Sequence, residues 1–166
     1  LLEQTAFLMR VFRMSEQRLA GRKVLVTGVG RAIGPAIVRR FAEAGARVAA
    51  ANRTLSRAQT VVEDVTQQGL SAWALPLDLE TPTGATEAVT TAADQLGGLD
   101  ILVHNAGGCP WSRLETLSEE ELELTLSINL KACFRLLKVA LPWLRESKHG
   151  RFLATSSVTG PKVAMP

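Results

Sequence analysis

The sequence predicts an α/β chain built on one doubly wound parallel sheet, with helices covering both faces. Short β-branched runs alternate with segments whose apolar residues recur every three or four positions, from Lys23 to Thr155. A glycine-rich turn, Val26-Thr-Gly-Val-Gly-Arg-Ala-Ile-Gly34, joins the first of these runs directly to the first helical pattern. A content of 46% hydrophobic and 21% charged residues over 166 positions suits one buried core.

Lys23 to Thr27 (KVLVT) is short, rich in β-branched residues and bounded by polar positions, which marks a buried strand. From Ile33, apolar residues recur at Ile37 and Phe41, one face of a helix that Gly45 terminates. Pro35 falls in its first turn, where no intrahelical N–H is required. Arg47 to Ala51 reads as the second strand, and Leu55 to Gln68 as a helix closed by Gly69. Ser71 to Leu77 is the third strand, about Ala85 to Leu96 the next helix, and Ile101 to His104 the fourth strand. Ser118-Glu-Glu-Glu121 matches a capping box and opens a long helix that ends near Arg145. Its residues Leu122, Leu126, Leu130, Phe134, Leu137 and Leu141 are spaced three or four apart and form a packing face. Arg151 to Thr155 is the fifth strand. No repeat, low-complexity stretch or linker divides this run, so residues 21–166 form one domain and residues 1–20 an extension.

Several function classes are disfavoured. The net charge is +3 and the nineteen basic residues are scattered, which does not make a nucleic-acid surface. No apolar stretch is long enough to span a bilayer. Cys109 and Cys133 lack metal or redox spacing, which points to a reducing compartment, the cytoplasm. Glu119, Glu120, Glu121 and Glu123 crowd a helix start, where their charge meets the positive dipole end, and read as capping rather than as a metal site. Leu1 to Arg13 is apolar and basic but has no small-residue cleavage site, so it reads as a flexible or non-native extension rather than a targeting peptide.

The glycine turn carries the chemistry. Between a strand and a helix, glycines let the backbone approach phosphate oxygens, and the open N–H groups of the helix start face the same anion. The strict GxGxxG spacing fails because Ile33 occupies the third glycine slot. Thr27, Gly28, position 32 and Gly34 fit instead the looser TGxxxGxG pattern, with Ala at position 32, and this resembles the short-chain dehydrogenase/reductase family. Asp78 after the third strand is similar to that family's adenine-contacting acid. His104-Asn-Ala-Gly107 resembles its NNAG segment with His in place of the first Asn, read here as a strand-end substitution rather than an acid/base group. Asn129, in SINLKACF, resembles the family's catalytic helix asparagine, and Ser156-Ser157-Val158 its active-site serine segment. The resemblance covers roughly Gly21 to Gly160.

It implies a Rossmann-type three-layer fold binding a nicotinamide coenzyme. Thr27, Gly28, Gly30, Arg31, Ile33 and Gly34 would hold the diphosphate, with Gly30 restoring the backbone freedom that Ala32 lacks. Asp78 and Leu79 would meet the adenine, and Asn105, Ala106 and Gly107 the adenosine ribose. Ser157 and Asn129 would be the catalytic residues. At the end of the second strand, Asn52 and Arg53 replace the acid that favours NAD, and with Arg31 they point to the 2′-phosphate of NADP. The loop Gly108 to Trp111 would reach toward substrate. The implied activity is hydride transfer between NADP(H) and a small alcohol or carbonyl substrate, in a homo-oligomer. The family's tyrosine and lysine should lie a little beyond Pro166, and the chain contains no tyrosine. It is therefore expected to be a partial domain, truncated after the fifth strand, poorly stable and inactive alone. The alternatives are a non-catalytic NADP(H)-binding protein and a product without function.

Overall fold

The computed structural model describes residues 17–157 except 82 and 111. The expectations placed on Leu1 to Arg13, Trp111, Val158 and the segment up to Pro166 lie outside the described residues. Eleven elements follow one another: β1 (Lys23–Thr27), α1 (Gly34–Glu43), β2 (Arg47–Asn52), α2 (Leu55–Thr66), β3 (Ala72–Pro76), α3 (Gly84–Leu96), β4 (Ile101–His104), α4 (Glu119–Leu126), a π turn (Ser127–Lys131), α5 (Ala132–Glu146) and β5 (Arg151–Ala154).

All strand pairs are parallel, in the order β3-β2-β1-β4-β5. Side chains alternate across a strand, so β1, β2, β3 and β4 each feed two cores. Val24, Val26, Val48, Ala50 and Val103 join Val38 and Ala42 of α1 and Ala58, Val61 and Val65 of α2. Leu25, Ala49, Ala51 and Leu102 join Ala88, Val89 and Ala92 of α3 and Leu136 and Ala140 of α5 on the other face. The result is the three-layer, Rossmann-like sandwich that the alternating pattern predicts. The packing reaches back to Leu19, whose N–H donates to the Ala44 carbonyl (2.9 Å) and whose side chain lies against the α1–α2 core.

From β1 the chain winds outward through β2 and β3, then returns across the sheet to place β4 on the other side of β1. The order reverses between β1 and β4. In open parallel sheets the crevice beyond the carboxyl ends of two such strands is where ligands bind.

Two helix faces differ from the periodic reading. In α1 the buried stripe is Gly34, Val38 and Ala42, one residue on from Ile33, Ile37 and Phe41. Ile33 is exposed, while Ile37 and Phe41 pack at the margin. The helix starts at Gly34, whose missing side chain lets it lie directly on the turn. The long helix from Ser118 is interrupted by the π turn, in which the Ala132 N–H donates to the Ser127 carbonyl. The inserted residue rotates the face, so Ala132, Leu136, Ala140 and Leu144 are buried. Leu130 and Phe134, expected to pack, are 64% and 66% exposed, and Leu122 and Leu126 are exposed as well. The capping box at Ser118 forms as predicted: Glu121 N–H donates to Ser118 Oγ (3.2 Å) and Ser118 N–H to Glu121 Oε2 (3.1 Å).

Among the described residues β5 pairs only with β4, and it is exposed along most of its length, including Leu153. Amides at such an edge are protected by little besides their own ladder. In this chain β5 amides are therefore expected to exchange with solvent at least a hundredfold faster than those of β1, flanked by β2 and β4 (a gap of roughly 3 kcal/mol in opening free energy). Hydrogen-exchange mass spectrometry reads this directly, and equal protection of the two strands would refute it.

Candidate functional site

The glycine turn closes onto the start of β4's outgoing loop. Gly28 has φ +72°, and a Cβ there would stand 2.4 Å from Ala106 Cα, so only glycine admits the contact. A Cβ on Gly34 would lie 2.3 Å from the Gly28 carbonyl oxygen, which is how closely α1 sits on the turn. Gly30 does not supply left-handed backbone, contrary to the expectation from sequence. Its missing side chain makes room for Asn52, whose Oδ1 accepts the Gly30 N–H (3.1 Å). The left-handed residue is Ala32 itself, at φ 54°. A methyl group in that region costs about 1–2 kcal/mol, partly offset because glycine loses more entropy on folding. Ala32→Gly is thus expected to stabilise the chain by about 0.5–1 kcal/mol in urea unfolding.

Thr27 is the hub of the crevice. Its buried Oγ1 accepts the N–H of Asn105 (3.1 Å) and of Ala106 (3.2 Å), which uses both lone pairs. Its one proton then goes to Nδ1 of His104, 3.1 Å away across the β1–β4 register. Nδ1 is therefore the acceptor, and the neutral ring carries its proton on Nε2. That buried nitrogen has no hydrogen-bond partner of normal geometry among the described residues. Burial holds the His104 ring below the ordinary histidine range, and the Ile128 carbonyl, in the π turn, opposes this in part. The folded state thus binds this proton less readily than the unfolded state. Stability from His104 is complete above the unfolded value of about 6.5 and is lost as pH falls below it. Comparing urea midpoints at pH 7.5 and 5.5 should show a smaller acid loss in His104→Gln than in the wild type.

Asn105 ties three elements together. Its Nδ2 donates to the Gly28 carbonyl (3.0 Å), and its Oδ1 accepts the hydroxyl of Thr155, just past β5 (3.0 Å). Thr155 N–H in turn donates to the His104 carbonyl (2.9 Å). Thr155 carries no sequence signal for this role, because its partner is fifty residues away.

At the end of β2, Asn52 also donates through Nδ2 to the Thr54 carbonyl (3.0 Å), bracing the glycine turn to that strand. Arg31, in the glycine turn, is exposed. Arg53 forms an ion pair with Glu80, an acid that the reading of β2 alone did not find. Asp78 is exposed and accepts the Glu80 N–H on Oδ1 (2.9 Å), whereas the Leu79 side chain is buried in the core.

Asn129 lies in the π turn and is fixed against the loop after β4. Its Oδ1 accepts the Gly108 N–H (3.2 Å), and its Nδ2 donates to the Gly108 carbonyl (2.6 Å) and the Thr125 carbonyl (2.8 Å). A Cβ on Gly107 would meet Asn129 Oδ1 at 2.8 Å, so a side chain there would push the Asn129 amide off Gly108. The π turn gave no sequence signal, although such turns recur at functional sites. Ser157 is exposed, three residues past the carboxyl end of β5, and the glycine turn likewise follows the carboxyl end of β1.

The arrangement suits a dinucleotide. The turn's outer residues Arg31, Ala32 and Ile33 are exposed at the carboxyl edge, and no side chain caps the start of α1. Residues 22–166 match the family model described as short chain dehydrogenase. The chain belongs to the short-chain dehydrogenase/reductase family. Within that family, oxidoreductase UcpA of Salmonella typhimurium is 32% identical over 149 residues, which cover 90% of this chain and 56% of UcpA. A short chain dehydrogenase from Burkholderia cenocepacia, solved in complex with NADP, superposes with a TM-score of 0.84 at 36% identity, over 89% of this chain and 60% of that one. A 7α-hydroxysteroid dehydrogenase complexed with NADH and 7-oxo glycochenodeoxycholic acid superposes at 0.82 with 27% identity, over 90% and 58%. This short-chain dehydrogenase/reductase chain therefore spans a little under two thirds of the proteins it resembles. No helix among its described residues is long and apolar enough to cross a membrane.

Proposed function

We propose that the whole protein transfers hydride between NADP(H) and a small alcohol or carbonyl substrate in the cytoplasm. The carrying observation is the junction at the β1–β4 switch point, where Thr27 and Asn105 lock the glycine turn to the His104–Gly107 segment. The turn's backbone from Gly28 to Gly34 binds the diphosphate, and Asn105, Ala106 and Gly107 line the ribose beyond it. Asp78 and the backbone of Leu79 flank the adenine. Arg31 and Arg53 receive the 2′-phosphate, since no acid stands at the end of β2 itself. The nicotinamide ring supplies or accepts the hydride. Ser157 donates a hydrogen bond to the substrate oxygen and stabilises its charge, and Asn129 holds the loop at Gly108 that borders the substrate.

Proton exchange in this reading belongs to a tyrosine–lysine pair that the present chain does not carry, as it has no tyrosine. By itself the chain binds coenzyme without turnover, which also keeps a non-catalytic NADP(H)-binding role in view. The exposed Leu130 and Phe134 support assembly of the whole protein into a homo-oligomer.

Titration of this chain with NADPH and NADH, followed by nicotinamide fluorescence, tests the reading. NADPH is expected to bind the more tightly. Tighter binding of NADH would overturn the coenzyme choice, and binding of neither would overturn the function.

A further inference from the structure

The loop after β3 brings an acid to the end of β2. Glu80 pairs with Arg53 although the two lie 27 residues apart. The loop that carries it is tightly held: Glu80 N–H donates to Asp78 Oδ1 (2.9 Å), Thr81 Oγ1 to the Asp78 carbonyl (3.1 Å), and Gly84 N–H to Thr81 Oγ1 (3.0 Å). Gly84 is forced by the same packing, because a Cβ there would fall 1.6 Å from the Asp78 carbonyl oxygen. The backbone of Glu80 is thereby fixed, and its carboxylate stays within side-chain reach of Arg53 when another anion arrives. Both side chains are open to solvent, at 69% and 42% exposure, so the pair itself is weak and exchangeable. Arg31, the other cation of this end, makes no ion pair among the described residues.

We propose that Glu80 is a specificity-determining residue that disfavours 2′-phosphorylated coenzymes. It engages the Arg53 guanidinium and places a negative charge beside the position of the incoming phosphate. A 2′-phosphate is doubly charged and pairs with a guanidinium in bidentate fashion, so it displaces Glu80 from Arg53. The displaced carboxylate, held by its loop, then repels the phosphate. A coenzyme without that phosphate meets neither effect. The inference rests on the placement of the adenosine end proposed above, and it makes the preference for NADP(H) a balance of Arg31 and Arg53 against Glu80.

The test uses Glu80→Gln in this chain, with 2′,5′-ADP and 5′-AMP as probes beside NADPH and NADH. At low ionic strength Glu80→Gln should bind 2′,5′-ADP and NADPH roughly threefold to tenfold more tightly, with 5′-AMP and NADH no tighter than in the wild type. The gain should shrink toward unity in 0.5 M salt and should fall in an Arg53→Gln background. An unchanged thermal midpoint shows that the fold is intact. No gain for the 2′-phosphorylated probes, or an equal gain for all four, would overturn the proposal. Should the wild type prefer NADH while Glu80→Gln still gains for 2′,5′-ADP, the coenzyme choice fails and the role of Glu80 stands. Binding of none of the four probes to either protein overturns both.

Discussion

Replacing Thr27 by valine will lower the unfolding free energy by about 3 kcal/mol or more. The two side chains have nearly the same shape, so the loss isolates the hydroxyl. That hydroxyl accepts from the Asn105 and Ala106 amides and donates to His104 Nδ1, inside a strand end that water does not reach. A buried group left without a partner costs about 1–3 kcal/mol, and the buried His104 Nδ1 and two part-buried amides lose theirs at once. Thr27→Ser keeps the hydroxyl and removes one methyl, so its loss should stay near 1 kcal/mol. Urea unfolding monitored by tryptophan fluorescence separates the two, since the chain has three tryptophans. A valine variant as stable as the serine variant would show that Oγ1 is not the hub.

Gly28→Ala is expected to cost about 3 kcal/mol and to abolish coenzyme binding. The φ of +72° alone accounts for about 1–2 kcal/mol with any side chain present. The added methyl would also sit 2.4 Å from Ala106 Cα and 2.5 Å from its nitrogen, and backbone on that side cannot turn away. Relief requires the ends of β1 and β4 to separate, an overpacking cost of typically 1–3 kcal/mol. Gly30→Ala is the internal comparison. The atoms nearest its methyl all belong to the Asn52 side-chain amide, from 2.8 Å, and that amide can swing aside. The same unfolding and NADPH titrations should show a loss near 1 kcal/mol for Gly30→Ala, from the hydrogen bond to Asn52. Equal losses at the two positions would contradict this account.

Local signals carried most of the architecture. KVLVT, RVAAA and ILVH fix strands to within a residue, and Ser118 with Glu121 fixes a helix start, because each depends on neighbours within four positions. What escaped was decided by distant parts of the chain or by single backbone angles. The buried stripe of α1 is set by how closely Gly34 lies on Gly28, which periodicity cannot express. Ala32 looked like a steric loss that Gly30 would relieve, yet Ala32 itself takes the left-handed conformation. The motif residues were named from resemblance, but their joints were not: Thr27 reaches Asn105 across 78 residues, and Arg53 finds Glu80 only because β2 and β3 are neighbours. The pairing of Asn129 with Gly108 needs the loop after β4 to fold back on a helix twenty-one residues later.

The widened ring between Ser127 and Lys131 bears on which insertions and deletions this domain can survive. A regular helix turns about 100° per residue. Losing one codon within the ring would let the helix close as an ordinary α-helix while Ala132, Leu136, Ala140 and Leu144 stayed seated on the sheet. Everything upstream would swing by that angle, carrying Asn129 off Gly108. Such a lesion leaves a folded scaffold with its crevice loop unmoored, so in this stretch of the gene, inheritance of shape and inheritance of chemistry come apart at a single triplet.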